Sequence, residues 1–487
     1  MAAGPARDCG RARRIRRGGG WRQAALALLI ASAFWAAAGE ARTAKLRPSF
    51  GSFQLDRSFG DGGIVARSGP HVNGEAAAGD SSGRIIVVAD LFRDNGMQRG
   101  VQLSRYARSG RLDPSFGSGG TLTTVIRSPA SKDQGDVSSI AVDDAGRIVV
   151  AGEIPAVNGD FQGGFVARFL PDGSVDTSFG RGGVATAIPG GGFNALAIDR
   201  RGRIVAAGFG HSPRRPQLAV ARFGPTGGLD PGFGTGGIVT VAPRKLPLGE
   251  AHAITLDARG RIVLAGQLRG FVKGGGFVSH FGLVRLAPDG SRDASFGAHG
   301  TVATAIGSPR AVPTSAQSVA IPPDGGISVA GQAYYGGEKG WQFTLARYRP
   351  NGRLDAAFGR DGIAHKSFGP HEDAFAAALA IDGDGRITVG GSATAPCEAR
   401  RPLPPCHGVP DSNELQFAIA RYRPNGEPAR AFGVDGRART VIGTESEPGA
   451  LVPEGRHRAV LVGQATRRGS HLSTLALARY LTRPVRR

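Results

Sequence analysis

The feature that most constrains the fold of this chain is a sequence unit that recurs seven times. Three short motifs follow one another in the same order in every copy. The first is a turn of the form Asp-x-x-Phe-Gly-x-x-Gly, the second is an apolar strand after a Gly-Arg pair, and the third ends in Ala-Arg-aromatic. Repetition of this kind indicates an array in which each copy is one structural unit.

The residues that recur from repeat to repeat are expected to stabilise the fold rather than to carry out chemistry. Six turns carry an aspartate, namely Asp56, Asp113, Asp176, Asp230, Asp293 and Asp355, and the seventh copy is the degenerate PARAFGVDG at 428–436. The phenylalanines are Phe59, Phe116, Phe179, Phe233, Phe296, Phe358 and Phe432, and the arginines of the third motif are Arg105, Arg168, Arg222, Arg285, Arg347, Arg421 and Arg479. We expect the aspartates to bond backbone N–H groups of the turn and the phenylalanines to pack between units. The arginines are expected to pair with the aspartates or to lie along a blade.

Each repeat contains four short strands and no segment of helical period. The turn precedes one strand, a variable loop leads to a second, a tight polar turn leads to the Gly-Arg strand, and another variable loop leads to the fourth. Four strands per repeat is typical of a propeller blade. The sequence therefore predicts an all-β fold, a seven-bladed β-propeller of four-stranded blades over residues 52–481.

The three motifs resemble the delta-60 repeat family, in which an LDxSFGxxG turn is combined with a GRIVVAG-like strand and an LARY-like strand. The resemblance extends over about residues 52–481. It implies a β-propeller, and it supplies no catalytic residue or ligand that can be transferred to positions of this chain.

The two ends of the array predict how the ring closes. The repeats open with a turn and one strand near Gly63–Arg67, and they end with the three other strands of a blade. We expect the lone N-terminal strand to complete the C-terminal blade, which leaves no exposed sheet edge. Residues 39–51 are then a linker and 482–487 a basic tail.

The first 38 residues have the pattern of a signal peptide. An arginine-rich segment precedes the apolar stretch from Ala24 to Ala38, and the small residues Ala36 and Ala38 favour cleavage after Ala38. An uncleaved anchor is the alternative, and the export route, general or twin-arginine, is left open. We expect the protein to be secreted, periplasmic or on the cell surface, with no membrane span after cleavage.

Two cysteines remain after that cleavage, Cys397 and Cys406, in a proline-rich insertion at about 392–415. An even number of cysteines in an exported chain favours a local disulfide over a metal site. The insertion is therefore predicted to be closed by a Cys397–Cys406 bond.

The net charge of +21 makes an anionic partner worth testing. Removing the first 38 residues would lower it to +15, and the remaining arginines are scattered along the chain. We therefore do not expect nucleic acid as the partner.

Two apparent catalytic motifs coincide with the repeat. The GxGxxG match at 232–237 is one copy of the phenylalanine turn, and the GxSxG match at 79–83 lies at a hairpin turn. We expect no catalytic, cofactor-binding or metal-binding residues from these patterns.

The repeat also predicts two unlike faces. The two short connections of each blade fall on one face of the disc, and the two long, dissimilar connections fall on the other, which we call the long-loop face. Variable loops on a rigid scaffold are where binding residues concentrate. Candidate contacts there are Arg214, Arg215, Phe271, Lys273, Tyr334, Tyr335 and Trp341.

These observations favour a monomeric, non-enzymatic binding scaffold whose partner is a protein, a glycan or an acidic polymer. The alternative is a propeller enzyme, a hydrolase, lyase or quinoprotein-like oxidoreductase, with its site at the channel mouth. An enzyme should show ionisable side chains on several innermost strands. The segments expected there, such as SSIAVDD and ALAID, are mostly apolar or small.

The closure scheme predicts that the N-terminal strand stabilises the whole ring. A variant that begins at Ser68 should melt well below a variant that begins at Ser52, because it lacks the strand that completes the last blade. Thermal unfolding followed by circular dichroism measures the difference. Equal melting temperatures would contradict closure by the N-terminal strand.

Overall fold

The computed structural model describes residues 54–66, 71–92, 98–127, 134–155, 161–210, 217–242, 246, 248–271, 277–308, 314–370, 372–395, 414–466 and 472–482. These residues form seven antiparallel sheets of four strands each. The prediction of an all-β, seven-bladed propeller is confirmed. No helix within these ranges is long and apolar enough to cross a membrane.

The strands of the described residues run as follows in chain order. The first half comprises β1 (Ile64–Ala66), β2 (Val72–Gly79), β3 (Ile85–Phe92), β4 (Gln98–Tyr106), β5 (Thr121–Thr124), β6 (Asp136–Val142), β7 (Ile148–Pro155), β8 (Phe161–Phe169), β9 (Val184–Ala187), β10 (Gly192–Ile198), β11 (Ile204–Gly210), β12 (Gln217–Phe223), β13 (Ile238–Val241) and β14 (Leu248–Leu256). The second half comprises β15 (Ile262–Phe271), β16 (Phe277–Leu286), β17 (Thr301–Thr304), β18 (Ser315–Ala320), β19 (Ile327–Tyr334), β20 (Trp341–Tyr348), β21 (Ile363–Lys366), β22 (Ala374–Ile381), β23 (Ile387–Thr394), β24 (Leu415–Tyr422), β25 (Arg437–Thr440), β26 (Glu445–Glu454), β27 (Arg458–Thr466) and β28 (Ser473–Leu481).

Blades 1 to 6 are built from consecutive strands, β2–β5, β6–β9, β10–β13, β14–β17, β18–β21 and β22–β25. The first strands of neighbouring blades contact one another around the ring, so they are the innermost strands and line the channel. A three-residue 3-10 helix, Gly337–Lys339, lies between β19 and β20 of blade 5.

Blade 7 combines both ends of the propeller. Its sheet has the order β1-β28-β27-β26, and Val65 of β1 is paired with Leu477 of β28. A further bridge joins Leu55 to Tyr480. The predicted completion of the C-terminal blade by the N-terminal strand is confirmed.

The hydrophobic core lies between blades rather than inside them. One cluster, for example, combines Val88 and Leu103 of blade 1 with Val137, Val150 and Phe165 of blade 2. A four-stranded sheet buries its two faces only against its neighbours, so the stability of each blade depends on the blades beside it.

In five of the seven blades a recurring arginine links the blade to the next one on the short-connection face. In blade 2, Arg168 Nε donates to Asp176 Oδ2 at 2.7 Å, and its guanidinium carbon lies 4.6 Å from the centre of the Phe179 ring. Its Nη1 donates to the carbonyl of Pro225 in blade 3. The expected pairing of the arginines with the aspartates is therefore present, and it also supplies a bond between blades.

The same arrangement recurs in four more blades. The equivalent arginines and the carbonyls they reach are Arg105 and Pro171, Arg222 and Pro288, Arg285 and Pro350, and Arg479 and Arg108.

The phenylalanine turn provides a second link between blades. Phe116 is fully buried, and a Cβ on Gly173 of the next blade would come within 2.9 Å of its ring, so this position requires glycine. The amide after the phenylalanine, Gly117 N, donates to Asp172 O of that blade at 2.9 Å. Corresponding bonds link Gly60 to Ser109, Gly180 to Thr226, Gly234 to Asp289, Gly297 to Asn351 and Gly359 to Asn425. The prediction that the phenylalanines pack between units is confirmed.

Blades 5 and 6 depart from this pattern. Gly326 stands where other blades have the arginine of the Gly-Arg pair, and Arg347 turns into that space to bind Asp324 of its own blade. In blade 6 the turn aspartate is replaced by Ala429, and Arg421 binds Asp382 at 2.5 Å. Both arginines thus bind a carboxylate in the tight turn of their own blade.

The buried aspartate–arginine pair predicts a large stability difference between two equivalent positions. The Asp176→Ala substitution removes the partner of Arg168, a side chain only 4% exposed, and should cost about 3–5 kcal/mol of unfolding free energy. The Asp355→Ala substitution is the matched control, because Arg347 keeps Asp324 and lies 3.7 Å from Asp355, and it should cost about 1 kcal/mol or less. Chemical denaturation measures both values, and similar losses would contradict the structural role of the pair.

Candidate functional site

The two faces of the disc differ in the variability of their connections, as the repeat predicts, but the predicted lengths are wrong, because the constant connection between the third and fourth strands is longer than most of the variable connections. The connection between the third and fourth strands spans fourteen residues in each of blades 1 to 6, for example 107–120 and 349–362. The connection between the second and third strands ranges from 93–97 in blade 1 to 395–414 in blade 6. Because adjacent strands are antiparallel, these two kinds of connection lie on opposite faces. The variable connections form the long-loop face.

Several predicted contacts cannot be placed on that face. Arg214 and Arg215 fall in 211–216, Lys273 falls in 272–276, and Cys397 and Cys406 fall in 396–413, all outside the described residues. Phe271, Tyr334, Tyr335 and Trp341 are described, and they divide into three different environments.

A β-bulge near the long-loop face is common to all seven innermost strands. The extra residue of the bulge is Glu75, Ser138, Asn194, His252, Gln317, Ala377 or Gly449. Bulges redirect side chains and are frequent beside functional sites. The extra residue leaves no recognisable change in the pattern of apolar and polar residues, so the bulges could not be predicted from the sequence.

Two positions beside each bulge, one on the first strand and one on the second, form what we call the polar ring. The pairs are Asn73–Asp90, Asp136–Glu153, Gly192–Phe209, Glu250–Gln267, Ser315–Gln332, Phe375–Ser392 and Glu447–Gln464, and all but Gly192–Phe209 contain a polar side chain. The expectation that the innermost strands are mostly apolar or small holds for strands such as β10 (GFNALAI) and β22 (AFAAALAI). The sequence segments on which it rested begin two to five residues after the strands themselves, so the ring positions lay outside them.

His252 joins blade 4 to blade 5 within this ring. Its Nδ1 lies 3.1 Å from Ala316 O and 2.9 Å from Ser315 Oγ, and its Nε2 lies 3.4 Å from Glu250 Oε2. The set of serine, histidine and glutamate superficially suggests a hydrolytic triad. However, Nδ1 can either donate to Ala316 O or accept from Ser315 Oγ, and Nε2 faces Glu250, so every polar contact of the imidazole ring is made within the protein. His252 is therefore a bridge between blades.

Glu250 is held as a carboxylate by its neighbours. Burial alone would raise its pKa, but the hydrogen bond and charge of His252 and the charge of Arg269 together lower the pKa below its usual range. Arg269 Nη2 lies 3.2 Å from Glu250 Oε1. The charge of Glu250 is thus compensated within blade 4.

Glu447, at the same position of blade 7, has the opposite environment. Burial raises its pKa, the charge of Glu445 raises it further, and a 3.5 Å hydrogen bond from Gln464 opposes these effects. Carboxyls with a raised pKa are concentrated at functional sites. The polar ring therefore contains one glutamate, Glu447 of blade 7, whose charged form is disfavoured in the folded protein.

An aromatic cluster occupies the boundary between blades 5 and 6. The Tyr334 and Trp341 rings are 5.8 Å apart, and the Trp341 and Phe375 rings are 5.9 Å apart. The backbone N–H of Trp341 donates to Asp373 Oδ1 at 2.8 Å, which ties the hairpin of blade 5 to blade 6. All three side chains are partly exposed. The structure thus brings the predicted Tyr334 and Trp341 together and adds Phe375, whose strand reads as ordinary core in the sequence.

Tyr335 belongs to the packing of blade 5. Its ring stacks on His365 with centroids 4.3 Å apart, and its hydroxyl lies 3.3 Å from Thr344 Oγ1. Burial raises its pKa, and burial together with the charge of Lys339 lowers the pKa of His365. Tyr335 therefore points away from the cluster that its neighbour Tyr334 joins.

Phe271 is the most exposed of the predicted aromatic contacts. It is 68% exposed and lies against Phe277, which is 48% exposed, with ring centroids 4.8 Å apart. Both residues stand at the end of the β15–β16 hairpin of blade 4. This pair forms a second aromatic group on the long-loop face.

Within the described ranges, no three His, Cys, Asp or Glu side chains are grouped so as to hold a metal ion. The arrangement at the mouth instead combines exposed aromatic rings with amides and carboxylates, which suits reversible binding of a polar ligand.

Comparisons with known proteins agree with the architecture. Three segments, residues 146–179, 260–296 and 323–358, match the family described as "Domain of unknown function (DUF5122) beta-propeller". Each segment ends at the phenylalanine of the turn, Phe179, Phe296 or Phe358. Fold and matches together define a β-propeller repeat protein, and they support a place in a bacterial β-propeller repeat family. No curated protein matches the sequence.

Solved propellers are similar in general architecture. A protein of unknown function from Dyadobacter fermentans DSM 18053 has 12% identity and a TM-score of 0.43, covering 86% of this chain and 100% of that one. The polysaccharide lyase Uly1 has 10% identity and a TM-score of 0.45, covering 88% and 92%. An ulvan lyase of family PL25, bound to -[GlcA(1-4)Rha3S]-, has 11% identity and a TM-score of 0.46, covering 86% and 95%. At these values none of them assigns an activity to this chain.

The environment of Glu447 predicts a stabilising substitution. The folded protein holds a proton on Glu447 more tightly than the unfolded chain does, so stability is lost as the pH rises from the unfolded pKa through the higher folded pKa. The Glu447→Gln variant keeps the shape of the protonated form and should melt above the wild type at pH 7–8. The difference should shrink below about pH 4, near the unfolded pKa of glutamate.

The control for this prediction is Glu427→Gln, since the Glu427 side chain is 60% exposed and lies on the other face. That change should leave the melting temperature nearly constant at every pH. A Glu447→Gln variant that is less stable at neutral pH would show that the carboxylate is stabilising.

Proposed function

We propose that this protein is a non-enzymatic binding module that holds a glycan on its long-loop face. The observation that carries the proposal is the cluster of Tyr334, Trp341 and Phe375, which is partly exposed at the channel mouth beside the polar ring. In this proposal the protein acts outside the cytoplasm, after loss of the signal peptide, as a monomer.

The chemistry of the cluster suits a sugar ring. Aromatic faces pack against the C–H faces of a pyranose, and amides and carboxylates beside them bond its hydroxyl groups. Gln332 lies two residues before Tyr334 on β19, so the alternation of the strand places both side chains on the same side of the sheet.

The composition of the polar ring argues against an acidic polymer or a nucleic acid. The paired positions include five carboxyl groups, Asp90, Asp136, Glu153, Glu250 and Glu447, and no lysine or arginine. Asp90 is buried and Glu250 is paired with Arg269. A polyanion would therefore find no basic side chain at these positions to complement its charge.

The alternative, an enzyme at the same mouth, requires a side chain free to exchange protons with a ligand. His252 does not meet this requirement, because its side chain is 6% exposed and contacts Ala316, Ser315 and Glu250. We therefore favour binding, and the release of new reducing ends from a bound polysaccharide is the observation that would favour a hydrolase or lyase.

Two finer assignments accompany the proposal. We infer that the repeats are of the delta-60 type, because the three motifs recur in its order. We also infer that Cys397 and Cys406 form a disulfide within the insertion of blade 6.

If the protein binds a glycan, the Tyr334→Ser variant should lose affinity for it without losing stability. Its affinity for a retained polysaccharide should fall about ten- to hundredfold, the effect of removing a central aromatic contact. Affinity electrophoresis in gels containing soluble β-1,4-glucan, galactomannan, laminarin or polygalacturonate measures the loss.

The matched control is Val434→Ser, since Val434 is 61% exposed on the opposite face. This variant should bind as the wild type does, and both variants should keep the wild-type melting temperature. Retardation that is absent for every polysaccharide, or unchanged in Tyr334→Ser, would contradict the proposal.

A further inference from the structure

The β15–β16 hairpin of blade 4 extends beyond the rest of its sheet. The innermost strand β14 pairs with β15 as far as Arg269, and the outer strand β17 pairs with β16 only from Phe281 to Val284. The pairs Gly270–Val278 and Phe271–Phe277 therefore form a two-stranded projection on the long-loop face. The exposed Phe271–Phe277 pair stands at its end.

One side of this hairpin carries a continuous row of side chains. Residues two apart on a strand, and residues paired across strands, lie on the same side of a sheet. The row begins at Glu250 and its partner Gln267, continues through Arg269 and its partner Ser279, and ends at the phenylalanine pair. It thus connects the channel mouth with the end of the hairpin.

The row faces blade 5 and contacts it directly. Gln267 Nε2 lies 3.3 Å from the carbonyl of Thr314, and Ser279 Oγ donates to the same carbonyl at 2.7 Å. Thr314 immediately precedes the innermost strand of blade 5. We call the boundary between these two blades on the long-loop face the 4|5 cleft.

Arg269 reaches this cleft with its charge paired. Its Nη2 lies 3.2 Å from Glu250 Oε1, and its side chain is 20% exposed. The charged pair therefore stands between the channel mouth and the aromatic end of the hairpin.

The neighbouring 5|6 cleft is built from the same positions. Gln332 corresponds to Gln267, and Tyr334 corresponds to Arg269, each at the same distance from the bulge of its blade. That cleft holds the Tyr334–Trp341–Phe375 cluster. Two adjacent clefts on one face therefore share a side-chain amide at the same position, Gln267 or Gln332, whereas their aromatic groups differ in position, because Phe271 stands two residues beyond the equivalent of Tyr334.

We propose that the ligand is an uncharged, linear polysaccharide that occupies the 4|5 and 5|6 clefts together. This inference rests on the proposed function and adds the class of polymer and the path of its chain. A chain long enough to reach both aromatic groups binds with the combined affinity of two sites, which a short oligosaccharide cannot do. The charge of Glu250 is balanced by Arg269, so this pair favours neither a cation nor an anion as ligand.

The test compares polymer with oligomer in two sets of variants. Isothermal titration calorimetry would use the whole chain without its first 38 residues, with soluble β-1,4-glucan and galactomannan, their trisaccharides, and polygalacturonate as probes. A Phe271→Ser/Phe277→Ser double variant alters the 4|5 cleft alone, because both rings project into solvent. Tyr334→Ser alters the 5|6 cleft, and Val434→Ser is the control on the opposite face.

The expected result is a difference that depends on chain length. The double phenylalanine variant should bind an uncharged polymer at least about tenfold more weakly than the wild type and bind its trisaccharide equally well. Tyr334→Ser should weaken binding of both. Equal polymer affinity of the double variant and the wild type would overturn the two-cleft path while leaving the proposed function intact.

Two other outcomes overturn the inference in different ways. Binding of polygalacturonate alone would overturn the assignment to an uncharged polymer. Binding of the wild type to vesicles of phosphatidylcholine and phosphatidylglycerol, abolished by the two serines and with no polysaccharide bound, would assign the hairpin to a membrane surface and contradict the proposed function as well.

Discussion

The ring depends on one recurring interaction, a contact through an arginine, an aspartate and a phenylalanine that five of the seven blades make with the next blade. Arg168 illustrates it, since one guanidinium binds Asp176, covers Phe179 and reaches the carbonyl of Pro225 in the following blade. The Arg168–Asp176 pair is buried, so separating its two charges would be costly. The guanidinium also reaches the carbonyl of the next blade, which requires that neighbouring blades be set at nearly the same angle wherever the link recurs. The hydrophobic clusters between blades then have a fixed geometry in which to pack.

This dependence explains why the two ends of the chain share a blade. Each cluster needs two neighbouring sheets, so an open ring would leave one unprotected face and one unpaired edge. Arg479 of the last strand binds Asp56 of the N-terminal turn and reaches Arg108 of blade 1. The first turn and the last strand therefore repeat, across the gap between the termini, the link that other blades make along the chain.

The sequence was sufficient to predict the parts of the structure that repeat. The turn aspartates, the phenylalanines and the arginines gave the number of blades, the strand order, the closure and the two faces, because each occurs in several copies at constant spacing. The disulfide between Cys397 and Cys406 of the insertion remains a prediction. The site was only partly predictable: Tyr334 and Trp341 were identified from loop composition, whereas Phe375 was not, since its strand has the pattern of any buried strand. The polar ring was missed because the segments taken as innermost strands, such as AITLD and ALAID, begin several residues after the strands themselves.

Blades 5 and 6 differ from most other blades on both faces of the disc. Their arginines, Arg347 and Arg421, bind carboxylates of their own blades. On the opposite face, the same pair of blades shares the aromatic cluster, and Trp341 is bonded to Asp373 across the boundary. At the boundary of blades 5 and 6, Arg347 does not reach the next blade on the short-connection face. An aromatic contact between Trp341 and Phe375 joins these two blades on the long-loop face instead. In a ring held by nearest-neighbour links, such an exchange lets one boundary differ without opening the others. Residues that bind a ligand are therefore best sought where the repeat is broken, and the boundary of blades 5 and 6 is such a place.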